Sequence, residues 1–428
     1  MGAMTILLLG VLLALATAAD AQPVGVAGEL TVDELVARAL TDNGELRAAR
    51  AEIDAAVGRL RQAGLRPNPT LDLGGQQNVA GPDNNVTIGL TLPLDLNGRR
   101  EGRVGVAEQE LQLRRAQVAD RERRLRAEVR AKAGELLAAR RNLESTAELL
   151  RVNRRALDVV GERARQGAVP PLDEALLRVE VNRLDAGHAI LVSRVEILAL
   201  QLKALVGLAP DASVSLRGEL SPMPVRLDRP TSVARALATR GDAETARAEV
   251  AMARARVRKE QAEGRWDASV SIGYQRQDMG FGLQGITDRG GTRAIQDTFH
   301  FIGGGLSITL PVRNRNEGNV SAAAAEERAA ERRLEFLGLV IRQEVEAAYT
   351  QYEAAERAAT LYARGVRDLA RQNLDVVRKA YELGRTSLLD VIAEQRRYVD
   401  IETGYTDTLK LAYDAAVELE RAVGGLDG

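Results

Sequence analysis

The sequence predicts a mainly α-helical protein with a small β-barrel part, built from two copies of a helix–β-hairpin–helix repeat. Three observations support this prediction. The 76 residues between Pro93 and Pro170 contain no proline, and none follows Pro311, so each tract can form a long helix. Aromatic residues make up 3% of the 428-residue chain and cysteine is absent, which is unlike a large globular core. Similar strings of residues also recur in the two halves at fixed offsets.

Residues 1–21 are typical of a secretory signal peptide. An apolar run from residue 6 to residue 16 precedes a small-x-small cleavage site at Ala19–Asp20–Ala21, although no Lys or Arg precedes the run. The run is too short to span a bilayer as a helix, and a buried helix is the alternative interpretation. An exported chain without disulfides suits the bacterial periplasm or outer membrane, and this one has no cysteine for a lipid anchor.

The two halves of the chain share one plan. Ala37–Leu40 and Ala234–Leu237 are identical and lie 197 residues apart, whereas Leu157–Val160 and Leu374–Val377 are identical and lie 217 residues apart. The second half therefore carries 20 additional residues in its middle. The predicted parts are the signal peptide (1–21), a first repeat (22–207), a linker (208–230), a second repeat (231–424) and a C-terminal tail (425–428).

Apolar residues recur every seven positions in both long tracts. They are Val129, Leu136, Leu143, Leu150 and Leu157 in the first tract, and Ala348, Ala355, Tyr362, Leu369, Val376 and Leu383 in the second. This spacing is typical of coiled-coil packing. A helix of about 70 residues would be roughly 105 Å long, so it must pack along partners of similar length.

Each repeat also contains two segments in which apolar residues alternate with small or polar ones. The predicted strands lie near 69–77 and 86–93 in the first repeat and near 267–277 and 299–311 in the second. We expect a long Gly-rich loop, which holds the 20 additional residues, between the last two. One interpretation is a pair of hairpins on a soluble core. The other is a membrane barrel with a wet lumen, to which several protomers contribute because four strands cannot close a barrel. Candidates for its aromatic girdle are Trp266, Tyr274, Phe299 and Phe301.

Composition argues against an enzyme and against nucleic-acid binding. The net charge is -1, which does not provide a broad basic face. The chain has no cysteine and two histidines, His188 and His300, so it lacks the material for catalytic triads or for high-affinity transition-metal sites. No Gly-rich phosphate-binding loop is present. We therefore expect no catalytic residue, no resident metal and no cofactor.

The segments Leu90–Arg100 and Leu306–Asn319 each lead from a strand, through Pro93 or Pro311, towards a long helix. With the duplication, they make the chain resemble the TolC-type outer membrane factor family over nearly all of its mature length. The second segment is most similar to the heavy-metal efflux branch, the cobalt–zinc–cadmium type. The resemblance implies a homotrimer with an α-barrel tunnel, a shared twelve-stranded outer-membrane β-barrel in outer-membrane lipid and an equatorial region near residues 208–230. It also implies two partners, a periplasmic adaptor (membrane fusion) protein and an inner-membrane pump of the resistance-nodulation-division type.

The resemblance further places the periplasmic entrance at two turns, marked by Gly167 and Gly384. It implies that Asp390, with its counterpart Asp173, contributes to a ring of carboxylates around the pore, where negative potential favours cations. The second pore aspartate of the family falls at Ala393, and the neighbouring Glu394 is the remaining candidate. A helix-capping role is the alternative for Asp390, although Ser387 is an equally good cap.

Family members hold the entrance shut with links between neighbouring coils. Tyr381 and Arg385 lie at or beside the corresponding positions, and we predict that Arg385 pairs with Asp173 or Glu174 in the closed state. A solvated surface arginine is the alternative. For the whole chain the leading hypothesis is the outer-membrane duct of a tripartite efflux system for metal cations. The alternatives are a duct for drugs or secreted proteins, and a soluble periplasmic coiled-coil scaffold.

Overall fold

The computed structural model of the chain describes residues 28–79, 81, 83–221 and 228–425. The predicted signal peptide, 1–21, lies outside this part of the chain, as do positions 222–227 of the predicted linker and 426–428 of the predicted tail. Helices dominate the described residues, which confirms the predicted mainly α-helical fold class.

Within the described residues the α-helices are α1 (Val32–Asp42), α2 (Gly44–Ala63), α3 (Arg99–Arg165), α4 (Pro171–Val206), α5 (Arg229–Thr239), α6 (Gly241–Glu263), α7 (Glu317–Leu361), α8 (Arg367–Glu382) and α9 (Leu388–Val423). The strands are β1 (Gly28–Leu30), β2 (Thr70–Gln77), β3 (Asn84–Pro93), β4 (Val214–Leu216), β5 (Asp267–Ile286) and β6 (Thr292–Thr309). At 67 residues, α3 is about 100 Å long. It packs against α4 towards one end and against α2 and α6 towards the other.

Four strands form one antiparallel sheet in the order β2–β3–β5–β6, which joins the hairpins of the two repeats. The contact between repeats runs from Pro93 opposite Ser269 to Asn84 opposite Asp278. Within the described residues, β2 and β6 are the open edges of this sheet. The two short strands, β1 and β4, pair in parallel elsewhere in the molecule, between the start of the described chain and the linker.

The register gives the sheet two chemically different faces. One face is apolar over most of its length, and the other carries small and polar side chains. The apolar face holds Leu71, Leu73, Val86, Ile88, Leu90, Leu92, Val270, Ile272, Tyr274, Ile302, Leu306 and Ile308. The opposite face holds Thr70, Asp72, Thr87, Thr91, Ser269, Ser271, Gln275 and Ser307. This alternation is typical of a sheet with one face against an apolar environment and one face against water.

The prediction of a long Gly-rich loop between β5 and β6 is wrong. Both strands continue beyond the predicted limits, to Ile286 and from Thr292, and the turn between them spans only residues 287–291. A bulge between Phe281 and Gln284 interrupts their pairing once. Glycine is depleted in strands but does not prevent pairing, so glycine content alone misidentified paired strand as loop. The additional residues lengthen this hairpin beyond the four-stranded sheet.

The heptad prediction is right up to Tyr362 and wrong beyond it for packing within the protomer. Ala348 and Ala355 are buried, whereas Leu369, Val376 and Leu383 are 58%, 65% and 70% exposed. The cause is a π-helical turn at Tyr362–Val366, whose wider winding accommodates one extra residue and rotates the following helix by about 100°. Beyond the turn the inward positions are Ala370, Leu374, Val377 and Tyr381.

Both connections from strand to helix contain the predicted proline. Pro93 is the last residue of β3, and Pro311 lies between β6 and α7. In the first connection Asp95 has φ +52°, and Arg103 from the second turn of α3 holds its carboxylate at 2.6 Å. The sheet is thereby tied to the start of α3, which fixes how the strands meet the helices.

Candidate functional site

The two helix-connecting turns at the end of the molecule remote from the sheet have the same backbone design. Gly167 and Gly384 have φ values of +73° and +68°, a region that residues with a Cβ adopt at a cost. In each turn the glycine N–H donates to the carbonyl three residues back, and the next N–H donates to the carbonyl five residues before it. This bonding ends α3 and α8 and redirects the chain into α4 and α9. The 217-residue offset therefore extends to individual hydrogen bonds.

Asp390 is part of a capping box at the start of α9. Its backbone N–H donates to Ser387 Oγ at 3.3 Å, and its carboxylate accepts from the Ser387 N–H at 3.0 Å. The hydroxyls of Thr386 and Ser387 donate to the same carboxylate, each at 2.7 Å. These bonds, that from Thr386 foremost, hold the pKa of Asp390 below its ordinary value, so the exposed side chain stays charged. Because the carboxylate is exposed, its capping bonds do not prevent it from also facing a pore, and the pore-ring role stays a prediction.

Asp173, the counterpart of Asp390 in the first repeat, sits in a different environment. Pro170 occupies the N-cap position of α4, so no side-chain cap forms there. The half-buried carboxylate faces Tyr381, whose pKa is raised by burial and further by the negative charge of Asp173. The two aspartates thus occupy equivalent positions in the repeats. Asp390 takes part in a helix cap, whereas Asp173 faces the phenol of Tyr381.

Glu394 lies one turn further along α9, and its side chain is only 11% exposed. Arg397 contacts one carboxylate oxygen at 3.0 Å, and the other oxygen is buried without a hydrogen-bond partner in the described part of the chain. In the protomer this carboxylate therefore points into the coil of helices, unlike the exposed Asp390. Its place in a pore ring stays a prediction.

Among the candidates for the lock, Tyr381 faces Asp173, but Arg385 and Glu174 are not paired with each other in the protomer. Glu174 forms an ion pair with Arg178 one turn along α4. Arg385 is exposed, and its side chain contacts no acidic group among the described residues. Tyr381 packs on a small buried cluster at the turns, formed by Val160, Leu177, Leu388, Val391 and Ile392. The predicted link from Arg385 to Asp173 or Glu174 stays a prediction, since a partner in the next protomer would also satisfy it.

Two ion pairs that the sequence analysis missed join α9 to its neighbours. Glu180 of α4 is 1% exposed and accepts from Arg183 at 2.6 Å and from Arg396 of α9 at 2.8 Å. Burial raises the pKa of Glu180, but the hydrogen bonds from the two arginines outweigh it and the net direction is down. Arg367 of α8 meets the buried Glu402 of α9 at 2.7 Å.

A pattern in the sequence could have revealed the first of these pairs. Glu180 interrupts an apolar helix stripe formed with Leu177, Val181 and Leu184, and a carboxylate at such a position needs a buried cationic partner. The second pair gives no such signal, because its arginine follows the π-helical turn, which the sequence did not predict.

In the described residues, no helix has the length and apolar character needed to cross a membrane. The same residues contain no group of three His, Cys, Asp or Glu side chains arranged to hold a metal ion. The site is therefore a set of charged and polar side chains around two turns, with a two-faced sheet at the opposite end. Such an arrangement can steer ions but offers no pair of groups set for acid–base chemistry.

Comparison with known proteins agrees with this arrangement. The family model described as outer membrane efflux protein matches residues 35–208 and 233–425. The cobalt-zinc-cadmium resistance protein CzcC of Cupriavidus metallidurans is 25% identical over 398 residues, covering 93% of this chain and 91% of that protein. Among solved structures, CusC has a TM-score of 0.72 at 17% identity and covers 92% of both chains. The outer membrane protein VceC of Vibrio cholerae has a TM-score of 0.71 at 21% identity, covering 92% of this chain and 96% of that one.

Proposed function

Because the chain belongs to the outer membrane efflux protein family, we propose that it forms, as a homotrimer, the outer-membrane duct of a tripartite efflux system. Members of this family are transport ducts and not enzymes. The outer membrane, with an extension into the periplasm, is the location that the family implies. The observation that carries the trimer is the open four-stranded sheet: its edges β2 and β6 are left to pair with other copies, and three copies supply twelve strands.

The proposed partners are a periplasmic adaptor and an inner-membrane pump of the resistance-nodulation-division type. Long helices such as α3 carry the duct from the sheet to the turns at Gly167 and Gly384, which would then face the pump. Apolar side chains remain exposed on the helices of the isolated protomer, among them Ile190, Leu369, Val376 and Leu383. Exposed apolar surface on this scale supports burial against neighbouring copies or an adaptor.

The proposed cargo is divalent metal cations. The support is the similarity to CzcC over nearly its whole length, a protein whose name describes cobalt, zinc and cadmium resistance. A strain that lacks this protein should accumulate cobalt, zinc or cadmium and become sensitive to them, and the intact gene should restore resistance. Sensitivity to organic drugs alone would instead establish the drug-duct alternative.

The proposed selectivity element at the entrance is the ring formed by Asp390, with Asp173 from the first repeat beside it. Three copies of an exposed, ionised carboxylate focus negative potential and favour cations. Asp390→Asn should reduce the cation-over-anion permeability ratio that reversal potentials measure across a salt gradient. Ser387→Ala is the matched control, because it removes the capping hydroxyl and keeps the charge. Equal losses in both variants would assign the effect to the cap.

Arg385 and Tyr381 are the proposed closing elements of the entrance, with Asp173 and Glu174 as their acidic partners. Arg385→Ala should raise the conductance of closed channels and the leakage of antibiotics into cells. A matched Arg178→Ala variant removes the cation that pairs with Glu174 inside the protomer. Unchanged leakage in Arg385→Ala would refute the lock.

A further inference from the structure

The chain carries a concentrated aromatic patch at the outer end of the sheet. Three of its four phenylalanines, Phe281, Phe299 and Phe301, contact one another in series, with ring centroids 6.3 Å and 6.5 Å apart. Met279 and Ile295 lie on the same face of the β5–β6 hairpin. These five residues form what we call the outer aromatic patch. Aromatic residues are only 3% of the chain, so this density marks the location.

The patch lies on the opposite face from the one that the sequence analysis expected. Phe299 and Phe301 were candidates for the girdle with Tyr274, but the register pairs Phe301 with Gln275 and Phe299 with Gln277. Side chains alternate strictly along a strand, so both phenylalanines share the small, polar face with Gln275, Ser271 and Ser307. Tyr274 lies on the apolar face instead.

The apolar side chains of the hairpin therefore change from one face to the other between the end near the helices and the tip. Nearer the helices, the apolar side chains are on the face of Ile272 and Leu306. Near the hairpin tip, that face becomes polar, with Arg276, Asp278, Gln296, Thr298 and His300, and the phenylalanines occupy the other face. Four of the five patch residues are between 39% and 49% exposed in the protomer. An exposed apolar patch on the face opposite the lipid-facing band requires a reason other than lipid contact.

We propose that the outer aromatic patch lines the lumen and that three copies form an apolar collar at the outer mouth of the duct. This proposal rests on the trimeric duct proposed above. Once the open edges of three sheets pair, the face with Ser271 and Ser307 lines the wet interior, and each patch then faces the patches of the other two copies.

The collar sets which solutes pass the outer mouth. An apolar constriction resists water and hydrated ions, because it offers few partners for their hydration shells. Gln275 and Gln277 lie beside the phenylalanines, and Asp297 lies opposite Met279 on the same face, so the collar is not wholly apolar. The collar therefore slows hydrated ions at the exit, while its polar groups still allow the proposed cations to pass. It lies at the opposite end of the molecule from the carboxylates at the entrance.

The test uses the absence of cysteine from the chain. Ser307→Cys places one thiol on the lumen face, six residues and about 20 Å from Phe301 along β6 towards the helices. Intact cells carrying the full chain are treated from outside with a membrane-impermeant trimethylammonium methanethiosulfonate, and the labelling rate is measured. Replacing both Phe299 and Phe301 by Ser should raise this rate about tenfold or more.

A control alters the other face of the same strand: Thr298→Ser with His300→Ser should label at the rate of the unmodified collar. Phe301→Gln alone replaces the double variant if the latter does not assemble. Equal labelling rates in the collar variants and the unmodified chain would overturn the collar. No labelling in any correctly assembled variant would mean that position 307 is not in a water-filled lumen, and this would overturn the proposed duct as well.

Discussion

Arg240 offers a strong test of how the helices far from the turns are held together. Its side chain is 2% exposed and contacts the Asp242 carboxylate at 2.6 Å, the Glu344 carboxylate at 2.7 Å and the Ala422 carbonyl at 3.2 Å. These groups belong to α6, α7 and α9, so one cation joins three helices. Arg240→Met keeps the apolar stem and removes the charge.

The size of the effect follows from what the missing cation leaves behind. Breaking a buried ion pair on one side costs about 3–5 kcal/mol. Glu344 is 36% exposed and can regain water. Asp242 is 16% exposed and keeps a hydrogen bond from the Ala243 N–H at 2.9 Å, with Arg123, 3.9 Å away, as the remaining nearby cation. We therefore expect a loss at the lower end of that range, about 3 kcal/mol, dominated by the carboxylate of Asp242.

Urea unfolding of the purified protein in detergent, followed by the helical circular dichroism signal, measures the loss. Adding Asp242→Asn to Arg240→Met should recover part of it, because the uncompensated charge is then gone. Although burial opposes it, Arg240 lowers the pKa of Asp242 in the native protein. That contribution is present above the ordinary aspartate pKa of about 4 and is lost as the pH falls through the lowered native value, so the difference between variant and parent should shrink in acid. A stability change below about 0.5 kcal/mol, or a double variant less stable than Arg240→Met, would refute this reasoning.

Three further outcomes follow from the geometry. Gly384→Ala should destabilise the turn by about 1 kcal/mol, since φ is +68° there, and proteolysis at the turn reports it. Gly134→Ala should lower the free energy of unfolding in urea by about 1–3 kcal/mol, because the new Cβ would lie 2.6 Å from the Tyr413 ring. Gly105→Ala on the same helix is the control: its Cβ would contact nothing, so it should be neutral or stabilising. The charged form of Glu180 is favoured in the fold, so its stabilising effect should persist above about pH 4 and fade below it, and Glu180→Gln should remove this acid sensitivity.

Much of the fold could be predicted from periodicity, because long proline-free tracts and two-residue alternation are local signals. The strand limits near 267–277 and 299–311 were too short, since strand pairing overrode the usual effect of glycine. The heptad of the second repeat failed beyond Tyr362, because a single additional residue in a π-helical turn changes every later facing position. A prediction that assumes a constant seven-residue spacing cannot anticipate this shift in the positions that face inward.

The positions of the site residues could be predicted from the sequence better than the contacts between them. Gly167 and Gly384 occur at the turns because a left-handed residue ends each helix, and this requirement is visible in sequence. A helix-capping role was the alternative for Asp390, with Ser387 as an equally good cap, and the structure places Ser387 at the N-cap and Asp390 as its partner in the capping box. The ion pair between Glu180 and Arg396 joins residues 216 positions apart, and only the folded arrangement of α4 beside α9 brings them together.

Single-channel recording most directly tests whether the chain forms a duct. The purified full-length chain is reconstituted in a planar lipid bilayer, with its mass in detergent measured in parallel. We expect a trimer that produces discrete, cation-selective current steps. A protein that is soluble without detergent, remains monomeric and gives no current steps would contradict the duct and establish the soluble coiled-coil scaffold instead.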